Sequence, residues 1–215
     1  MTITLVGHPM STCTRRVAAI FKEKGVPFEF KLIDFAKGEH KAAEYLKSQP
    51  FGQVPYIIDD GFVLFESRAI GRYIASKYRN QGTPLIPDPA DLKATALFEQ
   101  AASIEQSAFD PYASGIAAEK VFKPMRGGTT NEETVTTYLT VLKGKLQGYE
   151  SILSKQKYLA GNEITLADLF HLPYGAMLGT MGFDILESGE YPNVTRWWKD
   201  ITARESWQAV KDSAV

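Results

Sequence analysis

The side chains with chemical reach are few, and their spacing excludes several chemistries at once. Cys13 is the single cysteine among 215 residues, which rules out an intrachain disulfide, a CxxC redox pair and a cysteine-caged zinc. The three histidines, His8, His40 and His171, show neither HExxH nor HxxxH spacing, so no metal site is expected. Ser11 opens a helical pattern directly after Gly7-His8-Pro9-Met10. No GxSxG elbow surrounds it, which argues against a nucleophilic serine. What it retains is a hydroxyl at a helix N-terminus, whose ordinary use is capping. Glu66 and Ser67 stand the same way at the start of a later helical pattern. Asp168 closes Thr165-Leu166-Ala167-Asp168 at capping-box spacing and reads as a folding signal ahead of any catalytic role.

Composition narrows the partners. The chain is 44% apolar and 23% charged, which is the composition of a globular protein and excludes disordered, collagen-like and coiled-coil classes. Lysines and arginines number 24 against 25 acids, a net charge of −1, so no basic surplus is present to neutralise phosphates or anionic lipid. Neither nucleic acid nor a membrane surface is the expected partner. The first residues, Met1 to Gly7, have no basic n-region and too short an apolar run for a signal peptide. No stretch of about 18 apolar residues occurs, which excludes a transmembrane helix and leaves the cytosol as the expected compartment.

The elements that must position these side chains change character along the chain. Strands and helices mix over the first part, and only helical periodicity follows. Thr2 to Val6 reads as a strand, and a helix from Ser11 carries Cys13, Val17, Ile20, Phe21 and Lys24 on one stripe before stopping at Gly25. Phe28 to Leu32 alternates as a second strand, giving a parallel pair with a right-handed crossover. A short helix is expected around Glu39 to Leu46. Val54 to Ile58 and Phe62 to Phe65 then form a hairpin about Asp59-Asp60-Gly61, with Pro55 at a strand end, where a cis bond would turn Val54 outward. A helix from Ser67 buries Ala69, Ile70, Tyr73 and Ile74. This order is the thioredoxin-like pattern.

We read residues 1–80 as that domain, 81–89 as a Pro/Gly-containing linker and 90–215 as an all-helical domain. Asp88 and Pro89 are expected to start its first helix, which runs through Leu97, Phe98, Ala101 and Ile104. Thr130 with Glu133 is expected to cap the next, whose face is Val135, Leu139, Leu142, Leu146, Tyr149 and Leu153. Ile164 and Leu169 are placed as the staple across the Asp168 box. The last helix starts near Asn193 and buries Val194, Trp197, Trp198 and Ile201.

Several strings then coincide with one family. Gly7-His8-Pro9-Met10-Ser11 with Arg15-Arg16-Val17, Pro50-Phe51-Gly52-Gln53-Val54-Pro55, Leu64-Phe65-Glu66-Ser67-Arg68-Ala69-Ile70, Asn80-Gln81-Gly82-Thr83 and Ile164-Thr165-Leu166-Ala167-Asp168 resemble, in this order, the phi-class glutathione transferases. The resemblance covers essentially the whole chain. It implies that glutathione is a co-substrate with no metal or organic cofactor, and that Ser11 donates to its sulfur, with Thr12 as the fallback hydroxyl. A free thiol has a pKa near ~8.5, and lowering it by about two units needs roughly 2.7 kcal/mol of preference for the anion. A hydroxyl bonded to a charged acceptor supplies ~1.5–3 kcal/mol and a helix N-terminus ~0.3–1 kcal/mol.

The remaining site residues follow from the same resemblance. Ser67 and its helix N-terminus meet the γ-glutamyl carboxylate and Glu66 the ammonium. With a cis Pro55, the backbone of Val54 pairs with the cysteinyl amide, while Gln53 reaches the γ-glutamyl end. His40 and Lys41 serve the glycyl carboxylate. An apolar electrophile is expected between Met10, Phe35 and the helical domain, with Phe122 as a wall. Peroxide reduction is a further implied activity. A homodimer is implied, with Phe51 or its neighbours packing on the partner.

Two other functions were weighed against this. One is a non-catalytic carrier of hydrophobic ligands, which would not need the Ser11, Gln53, Glu66 and Ser67 set. The other is an interaction module of a larger assembly, against which the chain's ending at Val215 counts. Cys13 reads as a buried, inert thiol, the alternative being a mixed disulfide with glutathione.

Overall fold

In a computed structural model residues 2–215 are described; Met1, the first residue of the expected 1–80 domain, lies outside them. The chain forms two compact units. The first runs to Ile86 and takes back Arg204–Val215, and the second is Pro87–Ala203.

In the first unit the order is β1 (Ile3–Gly7), α1 (Thr12–Glu23), β2 (Phe28–Leu32), a 3-10 turn (Glu39–Lys41), α2 (Ala43–Ser48), β3 (Tyr56–Asp59), β4 (Phe62–Phe65) and α3 (Ser67–Lys77). The sheet order is β2-β1-β3-β4, with β1 parallel to β2 and the other pairs antiparallel. Two-residue alternation divides the core between the sheet's faces. Val6 and Tyr56, paired across β1 and β3, cluster with Ile33 and with Tyr45 of α2. Leu5 and Ile57, the next pair, are fully buried on the other face, as are the stripes of α1 (Val17, Ile20, Phe21) and α3 (Ile70, Ile74). The hairpin turns at Asp60 and Gly61, both at positive φ (51° and 83°), as a primed two-residue turn requires.

The 81–89 segment does more than link. Gln81 Nε2 donates to Gly25 O at 2.8 Å, Lys24 Nζ to Thr83 O at 2.8 Å, and Leu85 is buried. These contacts hold its first half in the first unit.

The second unit is helical: α4 (Leu92–Ile104), α5 (Asp110–Ala117), α6 (Lys123–Met125), α7 (Glu132–Leu153), α8 (Leu166–Leu169), α9 (Leu172–Thr180) and α10 (Pro192–Thr202). Two π turns, Glu105–Phe109 and Ala118–Phe122, interrupt the run from α4 to α6. Two expected helix starts move. The cap of α4 is Asp91, whose carboxylate accepts from Ala94 N at 2.9 Å; Asp88 instead closes a turn onto Ala90 N. The cap of α7 is Asn131, accepting from Thr134 N at 3.0 Å, while the Thr130 hydroxyl donates to Glu119 O at 2.8 Å.

The box at α8 forms as read. Asp168, fully buried, accepts from Thr165 N, Leu159 N and Trp197 Nε1 at 2.9, 3.0 and 2.9 Å and from the Thr165 hydroxyl at 3.1 Å. Burial pushes its carboxyl above the usual range against these four donors. The helix expected to be last, with Val194, Trp197, Trp198 and Ile201 buried, is followed by a short α11 (Glu205–Gln208).

The expected helical domain of 90–215 therefore loses its last residues to the first unit. Arg204 Nε donates to Glu23 Oε2 at 3.0 Å, Ser206 and Thr83 hydroxyls bond the same carboxylate, and Ala214 N reaches Pro9 O at 3.1 Å. Among the described residues no helix is long and apolar enough to cross a membrane.

Candidate functional site

The site starts where β1 hands over to α1. Ser11 is extended (φ −68°, ψ 130°) and half-buried, and its Oγ accepts from Thr14 N at 3.3 Å. Capping uses an oxygen lone pair and leaves the hydroxyl hydrogen to be donated elsewhere. The two roles weighed for Ser11 are thus compatible in one geometry. Thr12, the fallback, is the first helical residue and is buried, so the helix does not start one residue later.

Cys13, expected to be buried, is half-buried, with its Sγ 3.6 Å from a guanidinium nitrogen of Arg16. Arg16 is itself buried, and the same nitrogen donates to Ser67 Oγ at 2.9 Å. One side chain therefore ties the first turn of α1 to that of α3. Ser67 accepts from Arg16 and, like Ser11, keeps its own hydrogen to donate. Glu66 precedes it as the cap of α3 at φ 70° and ψ 108°. Left-handed backbone at a glutamate costs energy, and such positions collect at ligand sites.

Gly7 lets α1 approach the end of β1: a Cβ there would lie 2.7 Å from Thr14 Oγ1 and 2.9 Å from Thr14 Cγ2, with Pro55 Cβ alongside at 3.4 Å, an ordinary contact. The Val54-Pro55 bond is cis. Gln53 is held through its backbone: its carbonyl accepts from the Tyr45 hydroxyl and its N–H donates to Gln49 Oε1 at 3.4 Å. Gly52, at φ 60°, closes on the 3-10 turn, where a Cβ would meet His40 O and Lys41 Nζ at 2.8 Å.

Lys41 Nζ donates to Phe51 O at 3.2 Å and is exposed, with two N–H groups in reserve. Burial, then the neighbouring Lys41 charge, lowers the His40 pKa, so at neutral pH the ring is an uncharged donor. Phe35 contacts two histidines. It stacks on His8 with centroids 4.6 Å apart and planes at 12°, and meets His40 edge-on at 4.8 Å. Phe35 is 42% exposed and Met10 60%.

Contacts thus run from Ser11 through Thr14 and Gly7 to Pro55 and Gln53, on to Gly52, Lys41 and His40, and back through Phe35 and His8. Phe122 belongs to the second unit, half-buried at the end of the second π turn. Sequence reasoning gave no role to Arg16, Tyr45, Gln49 or His8. Arg16 carried the one available signal, a charged residue one position before Val17 on a buried stripe.

A thioredoxin-like sheet with a donor-rich helix start, followed by an all-helical unit, defines a class, and the comparisons agree with it. Family models described as the glutathione S-transferase N-terminal and C-terminal domains match residues 1–76 and 101–205. The chain is 52% identical over 200 residues to glutathione S-transferase PM239X14 of Arabidopsis thaliana, covering 92% of this chain and 90% of that protein. The crystal structure of glutathione transferase F7 from Populus trichocarpa superposes with a TM-score of 0.91 at 37% identity, covering 97% of both chains. Glutathione S-transferase I from maize, solved in complex with an atrazine glutathione conjugate, gives 0.90 at 35% identity, covering 98% of this chain and 97% of that one. The chain belongs to the glutathione S-transferase family, in its phi class.

Proposed function

We propose that this glutathione transferase holds glutathione on its first unit and makes the bound sulfur nucleophilic through the Ser11 hydroxyl. The observation that carries the reading is the Ser11 geometry: the oxygen caps α1 while its hydrogen stays available at the positive end of a 12-residue helix. Ser11 need not lose its proton. It stabilises the thiolate, which attacks an electrophilic carbon, forms the C–S bond and expels the leaving group with its electron pair. With a hydroperoxide, the thiolate attacks the terminal oxygen, an S–O bond forms as the O–O bond breaks, and the products are a sulfenic acid and an alkoxide. The alkoxide takes a proton, and a second glutathione then releases water and the disulfide.

The rest of the peptide is fixed by groups of matching charge. Ser67 and the α3 N-terminus take the γ-glutamyl carboxylate, Glu66 its ammonium, and Gln53 the same end. The backbone of Val54 beside Pro55 takes the cysteinyl amide. His40 as a neutral donor and Lys41 as the cation take the glycyl carboxylate. Met10 and Phe35 serve the apolar electrophile. Glutathione is a co-substrate, and no step of this scheme calls on a metal. A homodimer in the cytosol belongs to the same proposal.

Ultraviolet titration of the glutathione complex tests it. Thiolate absorbance is expected at neutral pH, and in Ser11→Ala only about two units higher. kcat/KM with an activated aryl halide should fall about 10- to 150-fold in that variant. An unchanged titration rejects the role of Ser11.

A further inference from the structure

His8 precedes the catalytic turn and makes three contacts that nothing in the scheme above employs. Its carbonyl accepts from Ser11 N at 3.0 Å. Its ring Nδ1 accepts from Met10 N at 3.3 Å, so the ring hydrogen resides on Nε2. Its ring face lies against Phe35, 4.6 Å away and nearly coplanar at 12°. The turn that aims the Ser11 hydroxyl and the aromatic wall offered to the electrophile therefore share one imidazole.

We infer that His8 is a positioning and specificity-determining residue, whose Nδ1 closes the turn presenting Ser11 and whose ring face fixes Phe35 to receive flat aromatic electrophiles. This rests on the Ser11 reading above. Three things argue for it physically. A backbone N–H bonded by a side chain two residues earlier restricts the turn as an Asx turn does. A parallel aromatic partner restricts how Phe35 can rotate, and a T-shaped contact with the His40 ring restricts it further, so its exposed part is presented in one orientation. An aliphatic electrophile gains little from an oriented ring, whereas an aryl one stacks on it, so the effect separates substrate classes.

Two substitutions separate the two halves of the proposal. His8→Asn keeps a side-chain acceptor near the position of Nδ1 and removes the ring face. His8→Phe keeps the face and removes the acceptor. Thermal melts first establish that each variant is folded. With 1-chloro-2,4-dinitrobenzene, His8→Phe should lower kcat about 2- to 10-fold, the worth of one hydrogen bond, and move the bound-thiol titration upward with the electrophile KM unchanged. His8→Asn should leave the titration in place and raise that KM about 2- to 10-fold, while KM for an alkyl iodide stays the same.

If both variants alter the same parameters, or folded variants alter none, the assignment of His8 is overturned. Ser11→Ala is measured alongside. A shift there without one in His8→Phe removes His8 alone, whereas no shift in Ser11→Ala removes the reading on which it rests.

Discussion

A hydroxyl can accept one hydrogen bond and still have its hydrogen to give, so Ser11, which caps α1, and Ser67, which accepts from Arg16, can each do a second task. The same economy governs charge. Lys41 spends one N–H on Phe51 O, which anchors it while leaving an exposed ammonium for an anion. Exposed ion pairs are worth ~0.2–1 kcal/mol, so Lys41→Ala should raise the glutathione KM about 2- to 5-fold and leave kcat nearly unchanged. Steady-state kinetics at varied glutathione check this, and a fall in kcat at constant KM would contradict it. Cys13 is a different case. Its thiol sits two residues from Ser11 beside a guanidinium, yet no step needs it, so Cys13→Ser should leave conjugation largely intact. Loss of activity in a folded Cys13→Ser variant would bring back the mixed-disulfide reading.

Elements are held by partners that local sequence shows unequally well. The Thr165/Asp168 box was legible because all its members lie within four residues and the pattern is chemical as well as positional. What stayed hidden is that Asp168 also receives Trp197 Nε1 and Leu159 N. Asp168→Ala strands these buried donors and should cost about 3 kcal/mol or more, read as a lowered denaturation midpoint. The α4 and α7 starts were read a few residues early because Asp88 and Thr130 are as suitable by type as Asp91 and Asn131; only tertiary and turn contacts decide between them.

Least legible was the tail, whose Arg204 meets Glu23 across 181 positions. Burial pushes the Glu23 carboxyl up, but bonds from Arg204, Ser206 and Thr83 outweigh it and leave it below its ordinary value. A carboxyl depressed in the folded state stabilises above its unfolded pKa of about 4.3, and that contribution is lost as pH falls through the folded value. Glu23→Gln should therefore lower Tm at pH 7, and the gap from wild type should narrow on acidification below about pH 4. A gap that widens in acid would reverse the sign.

For the molecule as a whole, the order of strands and helices sufficed to foresee both parts of the fold, since periodicity switches from mixed to helical along the chain. The ring of site contacts could not be foreseen, because it is held by residues such as Tyr45 and Gln49, which bond the Gln53 backbone and have no distinctive local pattern. Phe51 raises the question of assembly. It is 64% exposed, on a loop whose backbone is pinned by Lys41 and Gln49, with Phe65 edge-on at 6.1 Å as its aromatic neighbour. An exposed, rigidly mounted aromatic is an expensive surface in water and an effective anchor in an interface. We expect the protein to sediment as a dimer. Phe51→Asp should weaken self-association by about 2–4 kcal/mol, roughly 30- to 800-fold in Kd, while the titration of the bound glutathione thiol persists in the monomer. Sedimentation velocity across a dilution series measures this. A Phe51→Asp variant that stays dimeric at nanomolar concentration would place the anchor elsewhere.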